Sequence, residues 1–582
     1  MEGEINASSS ILRTVTDFWI DPLRILIVGG YGTFGGRLVE LLENEPGLSL
    51  IISGRSLEKA HAYCASRTRA AAKLIPASFD RSGSSARELN DLQPDVVVDA
   101  SGPFQAYGET PYGLVERCLE CRVSYLDLAD GSDFVNGVAR YDEAAKAAGV
   151  FVLSGVSSFP VLTAAVVRHF AGGIASIQSI VGGIAPSAFA GVGTNVIRAI
   201  ASYSGKPIGI RRKGRKEEGR PFVESIRFVV SVPGRIPLEE RRFSLVDVPD
   251  LAVLPDLWPS VQNVWMGAGP VPLILHRALN LFAWLVKVRL LPSLTWLATP
   301  MHFVTEHVRW GEHRGGMFVR VEGCDAQGQP VVREWHLLAE GDDGPLIPCM
   351  AIEAVIRKWL SGKRPESGAR TAIGDVSLAD YESLFKARAI SIGARNEVPV
   401  QNLPLFQRIL GESWPQLAPQ IQQLHSTGAG QAFAGNCTLR RGRNILARLI
   451  ARLSGFPTQG VDMPMLVRID PLGDGELWVR TCNRHIFSST QKPGKASSKW
   501  LVREQFGPVC VDSALLVEGT HLRYVIRRWA LFGISLPLAW GPRARALEST
   551  LGDLFKFDVQ ISHPITGLIV HYTGTLAPMP KK

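Results

Sequence analysis

Three glycines stand at the spacing a phosphate-binding turn needs. In Ile25-Leu26-Ile27-Val28-Gly29-Gly30-Tyr31-Gly32-Thr33-Phe34-Gly35-Gly36, the residues Gly30, Gly32 and Gly35 form G-x-G-x-x-G directly after an apolar run. Gly30 permits a tight turn out of a strand, Gly32 lets the backbone approach a pyrophosphate, and Gly35 lets the following helix lie close to the sheet. The free N–H groups and dipole of that helix then face an anion, so Tyr31, Thr33 and Phe34 join the glycines as expected dinucleotide contacts. A second strand should end at Ser53-Gly54-Arg55-Ser56. A carboxylate there would accept hydrogen bonds from the ribose hydroxyls of NAD. None is present, and Arg55 can pair with the 2′-phosphate of NADP, so Ser53, Arg55 and Ser56 are read as the part of the site that selects NADP, with NAD the alternative. The competing reading makes Arg55 an ordinary solvated residue.

A third loop, Ser101-Gly102-Pro103-Phe104-Gln105-Ala106-Tyr107-Gly108, follows the fourth strand. Ligands of open α/β sheets sit beyond the carboxyl ends of the strands, where strand order reverses, and Ser101, Gly102, Pro103 and Phe104 are expected to line the ribose and nicotinamide there. Tyr107 is the one candidate catalytic residue, as proton donor to a substrate carbonyl; packing or positioning is its other reading. Asp127 and Asp130 also fall at this edge, either in the site or capping the next helix.

These residues need a scaffold, and the chain supplies one by alternation. Strands are expected at 24–29, 48–53, 72–77, 95–100, 123–128 and 150–154, and helices near 34–42, 56–67, 85–92, 113–120 and 134–148. Short β-branched runs separated by helices imply a Rossmann doubly wound parallel sheet. Residues 22–155 are therefore read as an NAD(P)-binding Rossmann domain. Longer extended runs follow, including a hairpin of 317–322 with 331–339 around Asp325-Ala326-Gln327-Gly328, and residues 156–390 read as an α+β substrate or oligomerisation domain. Within it, 348–388 is placed against the Rossmann domain, with a loop at 364–372. A linker is expected at 389–402. Residues 403–578 form a third unit, a mixed and mostly antiparallel α+β domain. There Ile445, Leu446, Leu449, Ile450 and Leu453 share one helical stripe, with Arg448 and Arg452 on another. That stripe has two readings: packed on the sheet of its own domain, or lying on an anionic membrane.

Composition excludes several classes. With 582 residues, 46% apolar and 20% charged, the chain exceeds one core and is neither disordered nor fibrous. The net charge of +9 is modest for this length, and its basic clusters at 211–216 and 440–443 carry no interleaved aromatic platform, so nucleic-acid binding is not expected. Eight Cys show neither a disulfide framework nor a zinc spacing, and no metal is expected. Residues 1–14 lack a secretory pattern, and a cytoplasmic protein is expected. The most hydrophobic stretch, 270–301, is cut by His276, Arg277, Lys287, Arg289 and Pro292 into pieces too short to span a bilayer, leaving core, oligomer interface or one-leaflet contact as its uses.

Taken together, the glycine loop, Ser53-Gly54-Arg55, Ser101-Gly102-Pro103-Phe104 with Tyr107-Gly108, Tyr125-Leu126-Asp127, and Val152-Leu153-Ser154-Gly155 with Ser158-Phe159-Pro160 resemble the saccharopine dehydrogenase-like NADP-binding family over about residues 22–390. The resemblance implies NAD(P) binding and a bilobal oxidoreductase. It does not imply lysine metabolism, because the residues that recognise saccharopine have no counterpart in 156–390. The family includes members of unknown activity, some associated with membranes or lipids. Phe433-Ala434-Gly435, Arg441-Gly442, Asp462-Met463-Pro464 and Phe555-Lys556-Phe557-Asp558-Val559 look like a bacterial domain of unknown function.

The expectation is thus an NADP(H)-dependent oxidoreductase transferring hydride to or from an unidentified small-molecule or lipid-like substrate. The alternative is a non-catalytic NAD(P)-binding scaffold or redox sensor. Expected partners are that substrate, a second copy of the chain, and the inner face of a membrane touched peripherally through 271–300.

Overall fold

A computed structural model describes residues 21–396, 403–426 and 431–580. The expected leaderless N-terminus, 1–14, lies outside the described residues, as do 397–402 of the expected linker. The chain divides into two compact units, Met1–Leu162 with Leu346–Tyr381, and Thr163–Pro345 with Glu382–Lys582.

The first unit is built on strands β1 (Leu23–Val28), β2 (Leu48–Gly54), β3 (Lys73–Ser78), β4 (Val96–Asp99), β5 (Ser124–Asp127) and β6 (Phe151–Ser154). Between them run helices α1 (Thr33–Leu42), α2 (Leu57–Ser66), α3 (Ala86–Leu92), α4 (Gly113–Glu120), α5 (Ser132–Gly137) and α6 (Asp142–Ala148). All strands pair in parallel in the order β3-β2-β1-β4-β5-β6. Ile25, Leu26, Ile27, Val96, Val97 and Val98 are wholly buried, because helices cover both faces of such a sheet. This is the expected Rossmann sheet, with two differences. A seventh strand, Gly368–Thr371, pairs in parallel outside β6, where the sequence reads as a loop. It is too short to show alternation, and Asp142 on α6 anchors it by accepting the Ala369 N–H. The helix expected over 134–148 breaks in two around a 3-10 turn, Val138–Tyr141, and Gly137 at the break lies against the Tyr112 phenol. Helix Ile347–Leu360 also belongs to this unit, and its Cys349 thiol donates to the Phe34 carbonyl.

In the second unit a seven-stranded mixed sheet combines 225–228, 241–245, 263–268, 176–185, 314–324, 330–340 and 390–396, in that spatial order. The expected hairpin is present, with Asp325 Oδ1 accepting from the N–H groups of Gln327 and Gln329 in its turn. The linker reading of 389–402 fails where residues are described. Ile390–Asn396 is a strand antiparallel to 330–340, and Arg395 donates to the carbonyl oxygens of Ser231 and Ile409. Its glycine and asparagine suggested a linker, but unpaired backbone beside a sheet edge is satisfied best by pairing.

The unit's largest sheet has eleven antiparallel strands, of which ten form a barrel closed where Val509–Glu518 pairs with His521–Leu531, with Ile534–Leu536 added outside it. Within it His425 Nε2 lies 2.7 Å from one oxygen of Glu548, and the Tyr524 hydroxyl donates to the other at 2.8 Å. The helix Ile445–Leu453 does not pack its apolar stripe on the sheet. Ala447 and Ala451 are the buried residues, and Ile445, Leu446, Leu449 and Ile450 are exposed. Along the stretch 271–300, helix Leu273–Lys287 buries Leu279, Ala283 and Val286 and exposes Ile274, Leu281 and Trp284. No helix among the described residues is long and apolar enough to cross a membrane.

Candidate functional site

Parallel pairing aligns the strand ends in one row. Val28 stands opposite Ser53 and Asp99, and Asp99 opposite Asp127. Beyond that row the chain order reverses between β1 and β4, so the loops after these two strands diverge and leave a crevice at the sheet's carboxyl edge. The glycine loop forms one wall. Gly29 adopts φ +80°, and both Gly29 N–H and Gly30 N–H donate to the Ser53 carbonyl. Gly32 N–H donates back to Gly29 O, which closes the turn. Gly35 is buried and must be glycine, because a Cβ there would overlap that same Gly29 oxygen. A Cβ on Gly32 would meet only the Gly29 carbonyl, its oxygen at 3.0 Å, and otherwise project to the open side of the loop.

Helix α1 then starts with Gly32 as its N-cap and no side chain capping it. Its first N–H groups would ordinarily be satisfied by a cap, water or ligand, and the positive end of the helix faces the loop. Backbone donors, a bare glycine above them and a helix dipole behind them fit a pyrophosphate. Gly30, Tyr31, Gly32, Thr33, Phe34 and Gly35 therefore sit where the sequence puts a dinucleotide. Tyr31 also reaches sideways: its hydroxyl accepts the Ser56 N–H at 3.1 Å and joins this loop to the one after β2.

After β2 the three expected residues have different environments. Ser53 is wholly buried and its hydroxyl donates to the Ile27 carbonyl, so it ties β2 to β1. Ser56 caps α2, its Oγ accepting the Lys59 N–H. Arg55 is exposed, with no hydrogen bond or ion pair among the described residues. It is the unneutralised cation at the end of β2.

The loop after β4 is organised by a residue that sequence reasoning passed over. Asp99 is wholly buried, with Oδ1 accepting from both the Ser101 N–H and the Ser101 hydroxyl, at 3.0 and 2.6 Å. Its Oδ2 accepts from Arg81 Nε at 3.0 Å and from the Tyr107 hydroxyl at 3.2 Å. The signal was a carboxylate ending the apolar run Val96-Val97-Val98: a charge at the end of a buried strand needs partners. Tyr107 is accordingly engaged. The Arg81 guanidinium stacks on its ring, and burial together with the Asp99 carboxylate pushes its phenol far above the ordinary range. Phe104 is buried against the rings of Tyr107 and Phe134, with centroids 4.7 and 5.2 Å away. Ser101, Gly102 and Pro103 are left as the half-exposed part of this loop.

Neither Asp127 nor Asp130 caps α5, whose N-cap is Gly131 without a side-chain bond. Asp130 accepts from the Gln105 amide at 3.1 Å. Asp127 Oδ1 accepts the N–H groups of Ala129 and Gly155, at 3.0 and 2.7 Å, and Oδ2 has no hydrogen-bond partner among the described residues. Burial raises the Asp127 carboxyl to about 7, against the pull of those two N–H groups.

Residues 25–153 match the saccharopine dehydrogenase NADP-binding domain. Residues 417–576 match a domain of unknown function, DUF4166. The first match covers β1 through most of β6, and so contains the glycine loop, Arg55 and the loop after β4; the second covers most of the barrel. No curated protein matches the chain by sequence. Among solved structures, the chain is similar to apo saccharopine dehydrogenase (L-Glu forming) from Saccharomyces cerevisiae, with 14% identity over 65% of this chain and 100% of that one, TM-score 0.44. Biliverdin reductase from Synechocystis sp. PCC 6803 shares 13% identity over 59% and 92%, TM-score 0.28. A probable dehydrogenase from Thermotoga maritima shares 12% over 62% and 97%, TM-score 0.29.

Proposed function

We propose that this protein is an NADP(H)-dependent oxidoreductase that transfers hydride to or from a small-molecule or lipid-like substrate. One observation carries the reading: the glycine turn delivers the uncapped N-terminus of α1 to the point where strand order reverses, within the segment that matches an NADP-binding domain. The hydride chemistry belongs to the nicotinamide when the dinucleotide is bound. In this reading the chain's residues bind and orient. Backbone N–H groups of the 30–35 turn hold the pyrophosphate, Arg55 pairs with the 2′-phosphate, and Ser101, Gly102 and Pro103 line the nicotinamide end. Tyr107 is a positioning residue, since its hydroxyl serves Asp99 and its proton is held too tightly to be given up near neutrality.

That last observation favours a second reading. With Tyr107 engaged by Asp99, the one proton donor that the sequence nominates is taken up inside the loop after β4, which suits a scaffold or redox sensor that binds the dinucleotide without turnover. Titration of the purified chain with NADPH and NADH, followed by nicotinamide fluorescence, tests both readings. Binding of NADPH ahead of NADH is expected. Failure of both to bind at millimolar concentration would remove the oxidoreductase and the sensor together. Binding without turnover on a broad panel of carbonyl and alcohol substrates would leave the sensor.

A further inference from the structure

The ten-stranded barrel has two unlike ends. One is covered by the helices Leu405–Leu410 and Pro419–His425: Arg408 donates to the Asp474 carbonyl, Ala418 N–H to Thr520 O, and the Gln420 amide to Gly552 O. Strand register puts the helix Ile445–Leu453 at the other end. Arg441 pairs with Val570 and Leu439 with Gly460, so the helix bridges two strands at the rim where the 483–484, 532–533 and 564–566 turns also lie.

This helix is inverted relative to an ordinary surface helix. Ala447 and Ala451 face inward, and Gly442 allows the close approach, since its Cβ would stand 3.2 Å from that of Ala447. The crest turned away from the barrel carries Ile445, Leu446, Leu449 and Ile450, with Ile445 81% exposed. Separate turns of the same rim add Ile486, Phe532, Trp540 and Ile565, each at least 65% exposed. At the covered end Leu551 is 59% exposed and Leu472, Leu554 and Met579 are 37–42% exposed, so the most exposed apolar side chains of the barrel gather at the other rim. A monomer in water gains nothing from collecting its bare apolar groups on one face.

Charge identifies what covers them. Residues 440–453 contain five Arg and no acid. Arg440, Arg443, Arg448 and Arg452 are exposed and have no carboxylate partner among the described residues, and Arg448 and Arg452 both act repulsively on Arg441. A second copy seated symmetrically on this face would bring the arginines against one another. An anionic lipid surface supplies both missing partners, acyl chain for the crest and phosphate for the arginines. We infer that the rim formed by helix Ile445–Leu453 and its neighbouring turns lies on the surface of an anionic phospholipid bilayer, with the helix axis in the membrane plane.

The full chain is tested by flotation with vesicles of phosphatidylcholine alone and of phosphatidylcholine mixed with phosphatidylserine. Wild type should float with the anionic vesicles and leave them as salt rises. The variant Ile445→Asp/Leu449→Asp should lose at least about tenfold of that partitioning with its melting temperature unchanged, because both side chains are exposed. Arg448→Glu/Arg452→Glu should do the same and keeps the test independent of how the first variant folds. Wild type that stays in the soluble fraction with anionic vesicles overturns the inference. So does flotation that neither variant reduces, or that Leu281→Ser/Trp284→Ser on helix Leu273–Lys287 abolishes alone. A concentration-dependent dimer that Leu449→Asp dissociates, without vesicle binding, assigns the face to a second copy and equally overturns it.

Discussion

Replacing Arg55 by alanine should separate the two nicotinamide cofactors. Arg55 is exposed and unpaired among the described residues, so its removal breaks no internal contact and should leave folding untouched. The backbone around it is held by others: the Ser56 hydroxyl caps α2, and the Tyr31 hydroxyl accepts the Ser56 N–H. What the variant loses is a charge-assisted guanidinium–phosphate contact, worth about 1.5–3 kcal/mol, which converts to about a 10- to 150-fold rise in the Kd for NADPH. Exposure puts the effect toward the lower end of that range and makes it shrink with salt. NADH has no 2′-phosphate, so its Kd should change by less than about twofold. Arg55→Lys keeps the charge and loses the fork, and should fall between wild type and alanine for NADPH. Fluorescence titrations of the three proteins with both cofactors, at low and physiological salt, measure the double difference. Equal weakening of NADPH and NADH, or no weakening of NADPH, would refute the assignment of Arg55 to the phosphate.

Gly35→Ala places a methyl group on the Gly29 carbonyl oxygen and should weaken both cofactors alike while lowering the stability of the first unit; a variant that binds either cofactor like wild type would show that the turn is not what holds the pyrophosphate. Asp127→Asn removes a carboxyl that folding raises from 3.8 to about 7. A raised folded value means the native state holds the proton more tightly, so this group's contribution is intact below about pH 4 and is lost as pH rises through about 7, a swing of roughly 4 kcal/mol that the amide variant should lack. Hydrogen exchange at Ala129 and Gly155, corrected for intrinsic rates at about pH 5 and about pH 8, reads the part of it that falls in that window, about 3 kcal/mol; an identical pH dependence in both proteins would count against a buried, proton-holding Asp127.

The Rossmann half was legible because its signals are local and redundant. The run Ile25 to Val28, the three glycines and the start of α1 each specify the same turn, and parallel strands buried on both faces read as continuous apolar runs. The strand Gly368–Thr371 was not, since an edge strand this short is selected by backbone partners on β6 and α6 that lie more than two hundred residues away in sequence. At the site, residue type located the loops but not which way each side chain turns. Ser53 and Phe104 lie in the right segments and face inward, and the choice between proton donor and positioning residue for Tyr107 stays open in the sequence because its partners, Asp99 and Arg81, come from two different strand ends. Asp99 itself was visible as a charge closing a valine run, and burial cost alone would have singled it out.

The helix Ile445–Leu453 shows where periodicity stops carrying information. A repeat of Leu and Ile at three and four residues says that one face is apolar, and the usual inference is that this face is inside. The alternation of Ala447 and Ala451 on the opposite face has the same period and is equally compatible with burial. Volume decides between them, because the helix returns over its own barrel at Gly442, where a Cβ would overlap the Leu568 carbonyl. Backbone that close leaves room for methyl groups and none for Leu449 or Ile450, so the small face goes in and the large face is displaced outward. The arginines beside it then follow from the sequence rather than the fold: a bare apolar crest in water is tolerated only where something else covers it, and the unpaired positive charge around this one gives that covering surface its sign.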